Sequence, residues 1–121
     1  MTRLALIHTV GSLDPVFRDL LAELAPDTDV TSTIDEDLLG ETIAAGSIQP
    51  ATAERLRGHV RSALAGGADL VLVTCSSMGP AVDSIADGHG WPVLRVDVAM
   101  ADEAVRIGPR IGVLATLATT L

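Results

Sequence analysis

Residues Leu70 to Pro80 read LVLVTCSSMGP, and the fold turns on this stretch. Leu70–Val73 is wholly apolar. Thr74, Cys75, Ser76 and Ser77 are small and polar, Met78 and Gly79 follow, and a helical pattern starts at Pro80. An apolar run, then small polar residues, then a helix reads as the carboxyl end of a buried parallel strand feeding a βα turn. Ligands of open α/β sheets bind at such ends. Cys75 is the only cysteine of the chain. A thiol flanked by hydroxyls and backbone N–H groups near a helix start is a candidate base or nucleophile over an anion.

The same alternation extends in both directions. Leu4–Ile7 reads as a buried strand, with Gly11 and Ser12 in the turn after it. Asp14 is the expected N-cap of the next helix, with Pro15 at its first position. Val16, Phe17, Leu20, Leu21 and Leu24 then fall at helical spacing, and Pro26 and Asp27 end the run. Val30–Ile34 is more polar and predicts a strand at or near a sheet edge. Helical turns follow over Asp37–Ala45, broken by Gly46 and Ser47. Pro50–Leu64 is the clearest helix, with Ala53, Leu56, Val60 and Leu64 on one face and Gly66–Gly67 at its end. Beyond Leu70–Val73 come a helix from about Pro80 to Ala86, a strand at Val93–Val96, a helix over about Ala99–Ile107 and a fifth strand at Ile111–Leu114. Strands alternating with helices imply an α/β fold: an open parallel sheet with flanking helices in a flavodoxin-like three-layer lobe. In that strand order, the ends of the first and third strands meet at the switch point. His8, Thr9 and Gly11 would then face one crevice with the Cys75 turn.

Composition narrows the function. The 121 residues suit one domain of modest core. Sixteen acids stand against eight arginines and no lysine, a net charge of −8. That balance argues against nucleic acid and against an anionic membrane surface as partner. No apolar run approaches the length of a membrane span, and the start of the chain has a strand pattern rather than that of a signal peptide. The cytoplasm is the expected compartment. One cysteine excludes an internal disulfide framework, and His8, His59 and His89 share no ligand spacing, so no structural metal is expected.

Spacing also removes several cysteine chemistries. A phosphatase-type loop needs an arginine where Ala81 stands, and a dithiol motif needs a cysteine where Met78 stands. A P-loop needs the lysine that the chain lacks. What survives is a lone thiol among hydroxyl and amide donors, suited to proton transfer beside a carboxylate. The competing reading is a packed, inert thiol, because free cysteine is among the most buried residue types. Ser76 and Ser77 are candidate carboxylate holders and equally good turn or N-cap residues. Thr116 and Thr119 carry the same double reading. His8 is either a satisfied core histidine or part of the site wall. Asp97 either lines the crevice or caps the next helix.

A repeat marks the end of the sequence. Arg3-Leu-Ala-Leu-Ile-His-Thr9 is echoed, 107 residues further on, by Arg110-Ile-Gly-Val-Leu-Ala-Thr116. Each has a charged residue, an apolar strand, then threonine and small residues. This predicts residues 1–108 as one α/β lobe and residues 109–121 as the start of a second, incomplete copy.

Three segments carry a resemblance: the first strand ending His8-Thr9, the run VLVTCSSMGP, and the late segment RIGVLATLATT. Together they resemble the aspartate/glutamate racemase superfamily, which includes the hydantoin racemases. The resemblance implies two similar α/β lobes, each supplying one cysteine, with the substrate between them and no cofactor. It places the first catalytic cysteine on Cys75 and the substrate carboxylate on Ser76 and Ser77. It places the threonine-bearing segment of the second lobe on Thr116 and Thr119. His8 and Thr9, at the end of the first strand, are further candidate substrate contacts from their place at the crevice. The partner cysteine would be expected near position 182, about the same offset along the chain. The Asp-Ser-Gly segment of glutamate racemases is replaced by His8-Thr9-Val10.

The chemistry implied is cofactor-independent racemisation or isomerisation of a small carboxylate-bearing substrate. A proton is removed next to the carboxylate on one face and returned on the other, hence two thiols. One lobe supplies one thiol, so the chain alone is expected to be inactive or very weak, either as a fragment or as a subunit whose partner, such as a second copy, completes the site. Two alternatives remain open: a non-catalytic small-anion-binding module with a packed cysteine, and a one-cysteine decarboxylase or maleate-isomerase relative.

Overall fold

The computed structural model describes residues 1–121. Four strands form one parallel sheet: β1 (Thr2–His8), β2 (Thr28–Ile34), β3 (Leu70–Val73) and β4 (Val93–Arg95), in the order β2-β1-β3-β4. The helices are α1 (Leu13–Leu24), α2 (Asp37–Ala45), α3 (Pro50–Ala65), α4 (Gly79–His89) and α5 (Val98–Ile107). The order is flavodoxin-like, with polar β2 at an edge as its composition predicts, and β1 and β3 side by side at the centre.

The sheet is covered on both faces, and the alternation of side chains divides the work. Ala5, Ile7, Val71, Val73 and Val93 point to one face, where Leu38 of α2, Leu56 and Val60 of α3, and Val82 and Ile85 of α4 close over them. Each of the Val, Leu and Ile side chains among these contributes roughly 1.5–3 kcal/mol when fully buried. Leu4, Leu6 and His8 point to the other face, where α1 lies and Phe17 packs against the His8 ring.

Three local expectations need correction. No fifth strand forms over Ile111–Leu114; the segment has no strand partner, and the chain ends in a short 3-10 turn, Ala118–Thr120. An apolar run makes a strand only where a neighbour offers its N–H and C=O groups. Here the run faces α5 instead of extending the sheet. Asp14 is not an N-cap: α1 begins at Leu13 after Ser12, and Asp14 sits in the first turn with its carboxylate turned inward. The helix after the cysteine turn is longer than expected, running from Gly79 to His89 and closed by Gly90 at φ +65°, in the left-handed region.

Candidate active site

The carboxyl ends of β1 and β3 open into a crevice of about 480 Å³. The backbone fixes this mouth: Thr74 N–H donates to Ile7 C=O at 3.0 Å and Asp35 N–H donates to His8 C=O at 2.9 Å. After β3 the chain turns at once into a 3-10 turn, Ser76–Met78, which leads directly into α4. Such a turn leaves its first N–H groups without partners inside it.

Thr9, Cys75, Ser76, Ser77 and Thr116 all line this crevice, so the structure brings five of the seven expected site residues together. Cys75 is half-buried and free, packed on one side against the core cluster and open on the other to the crevice. Thr119 stands behind that wall. Its hydroxyl lies 2.9 Å from Ser77 Oγ, and it lines a neighbouring cavity with Thr42 and Ser47. Ser77 Oγ also lies 3.2 Å from Thr120 Oγ1. Thr120, Leu39 and Leu117 also line the crevice, and nothing in the sequence singles them out. Thr120 is one hydroxyl in a Thr-Thr pair, and Leu39 is one of two adjacent leucines on α2; nothing local separates either from its neighbour.

His8 lies beneath the crevice floor and is absent from its lining. It is fully buried, with Nδ1 2.7 Å from Thr74 Oγ1 and Nε2 3.2 Å from Asp14 Oδ1. An ionised Asp14 accepts from Nε2–H; in the neutral ring Nδ1 is then an acceptor, and it lies closer to the Thr74 hydroxyl than the other acceptor of that proton, Ile7 C=O at 3.3 Å. Hydrogen bonding from Ser32 is the largest influence on Asp14. With Arg18 and His8 it outweighs burial and holds this carboxyl below its usual range. The histidine therefore anchors the residue before Cys75.

No arginine lines the crevice. The donors that face the crevice are hydroxyls and N–H groups, and the free thiol of Cys75 lies among them. Arg95, at the end of β4, grips Asp97 with two nitrogens and Asp83 with a third. Asp97 thus holds an arginine rather than capping α5 with its side chain. Another cavity, about 360 Å³ between α3 and α4, contains Ser84, His89, and Glu54 and Arg57, which bind each other. No group of acids, histidines and cysteine is arranged to hold a metal.

A family model described as Asp/Glu/Hydantoin racemase matches residues 2–121. The chain belongs to the Asp/Glu/hydantoin racemase family. No curated protein matches it. The family match extends through the late threonine segment, so both the cysteine turn and residues 110–120 fall within it. No helix of this racemase-family chain is long and apolar enough to cross a membrane.

Proposed function

We propose that this chain is an isomerase lobe that acts on a small carboxylate-bearing substrate, with the Cys75 thiolate moving the proton on the carbon next to the carboxylate. The observation that carries the reading is the placement of Cys75 at the mouth of β3, open to a crevice shared with Thr9, Ser76, Ser77 and Thr116. The reaction needs a base on the α-carbon and donors on the carboxylate, where negative charge grows as the proton leaves. The hydroxyls and the first N–H groups of the Ser76 turn supply the donors. Cys75 supplies the base on one face and no cofactor is required.

A proton delivered to the opposite face needs a second group. Residues 109–121 are read as the start of the second lobe that provides it. Two features support this: residues 110–116 echo residues 3–9, and residues 111–114 have no strand partner. The lobe can come from further chain or from a second copy.

The packing of Cys75 against the core cluster favours a second reading, an anion-binding module with an inert thiol. Alkylation by iodoacetate separates the two. In the proposed enzyme lobe, Cys75 labels in the native protein, and small carboxylates slow the labelling. Labelling only after denaturation removes the enzymatic reading. Exchange of the substrate α-hydrogen in heavy water, absent in Cys75→Ala, then tests the proton transfer itself.

A further inference from the structure

The crevice does not end at the hydroxyls. Ser76, Leu114, Ala115 and Thr120 are shared walls between it and a second, larger groove of about 620 Å³. This groove runs between α5 and residues 111–115. Its walls are Met100, Ala104, Val105, Ile111 and Val113, and its one ionisable side chain is Asp97. No arginine lines either cavity, and the chain contains no lysine. Arg95, two residues from Asp97, is already held by Asp97 and Asp83, and Arg110, next to Ile111, is not part of the lining.

From this continuity we infer that the substrate is a monocarboxylate with an apolar side chain, the carboxylate at the Ser76–Ser77 turn and the side chain in the groove along α5. The inference rests on the proposed function and specifies its substrate class. A second carboxylate on the side chain would meet aliphatic walls, with no cation among the lining residues to offset its desolvation. An alkyl or aryl group loses nothing by entering and gains by leaving water. Ser76 itself lines both the polar crevice and the apolar groove, so a ligand of a few carbons reaches both.

The test is a titration of the native chain, followed by backbone amide NMR, with acetate, butyrate, hexanoate and succinate. Acetate shifts the amides of Thr9, Ser76 and Ser77. Butyrate and hexanoate also shift Ala101, Ala104 and Val105, and bind progressively tighter. Full burial is worth about fourfold per methylene, so a partly open groove predicts about tenfold or more between acetate and hexanoate. Met100→Glu, at an exposed position, abolishes that gain. Three results overturn the inference while leaving the proposed function standing: affinity independent of chain length, tightest binding by succinate, or α5 shifts that follow protein concentration alone, which would place a second copy in the groove. If no carboxylate moves the Ser76 and Ser77 amides, the proposed function falls, and the inference falls with it.

Discussion

Ser77 Oγ lies 2.9 Å from Thr119 Oγ1, which ties the turn after β3 to a segment 42 residues further along the chain. This is a side-chain link between the cysteine turn and a segment that has no place in the sheet. Ser77→Ala removes it together with the contact to Thr120. The expected cost is about 1 kcal/mol of stability. The more specific effect is local: the amides of Thr120 and Leu121, bonded to Leu117 and Ala118 carbonyls, exchange faster with solvent. Hydrogen exchange at those two amides decides it, and unchanged rates would show that the segment is held by other contacts.

Thr74 and His8 form the second tie, beneath the crevice. Thr74→Val keeps the shape of the side chain but leaves the buried Nδ1 of His8 without a partner. Stranding such a group costs about 1–3 kcal/mol. Thr74→Ser keeps the hydroxyl and restores most of the loss. Urea unfolding of the two variants measures the difference; equal destabilisation would refute the role of the hydroxyl.

Gly79 and Arg95 are in direct conflict over space. A methyl group at Gly79 would overlap the Arg95 guanidinium and displace it from Asp97 and Asp83. Yet Gly79 has helical dihedrals, where alanine is favoured by up to about 1 kcal/mol. The expected outcome is that Gly79→Ala is neutral or harmful in the native chain and stabilising in an Arg95→Ala background. A double-mutant cycle on unfolding free energies reads the sign of this interaction. Additive effects would mean that Arg95 moves aside freely.

Asp35 sets a pH dependence. Burial pushes its carboxyl up, but hydrogen bonds from His59 and Arg55 outweigh that and hold it below the ordinary value of 3.8. The unfolded chain therefore binds the proton more readily between the two values. Stability from this site is complete above about pH 4 and is lost as pH falls through the folded value. Asp35→Asn removes that contribution, so its stability declines less steeply than that of the native chain between about pH 4 and pH 2. Parallel urea-unfolding profiles for the two proteins over this range would contradict the assignment.

Much of this architecture is legible along the chain because buried parallel strands and βα turns have local signatures. Leu70–Val73 and the residues after it mark a strand end without reference to anything distant. The glycine stop at Gly66–Gly67 and the face of Leu56 and Val60 mark α3 in the same way. Ile111–Leu114 misleads for the same reason: its composition is that of a strand, but pairing depends on a neighbour, and none lies beside it. Asp14 misleads differently. Its capping chemistry is real, but Ser32, Arg18 and His8, brought in from β2, α1 and β1, offer its carboxylate stronger partners.

The alternation of strands and helices, the strand end on which the single thiol sits, and the lack of lysine at any anion site can all be read along the chain. Those properties reside in side-chain type and spacing. That Thr9 and Thr116 reach the wall that holds Cys75, that His8 lies under the floor, and that an apolar groove adjoins the crevice emerges only on folding. These depend on contacts between residues far apart in the chain, and no local pattern encodes which partner a hydroxyl, a ring nitrogen or an unpaired apolar segment will find.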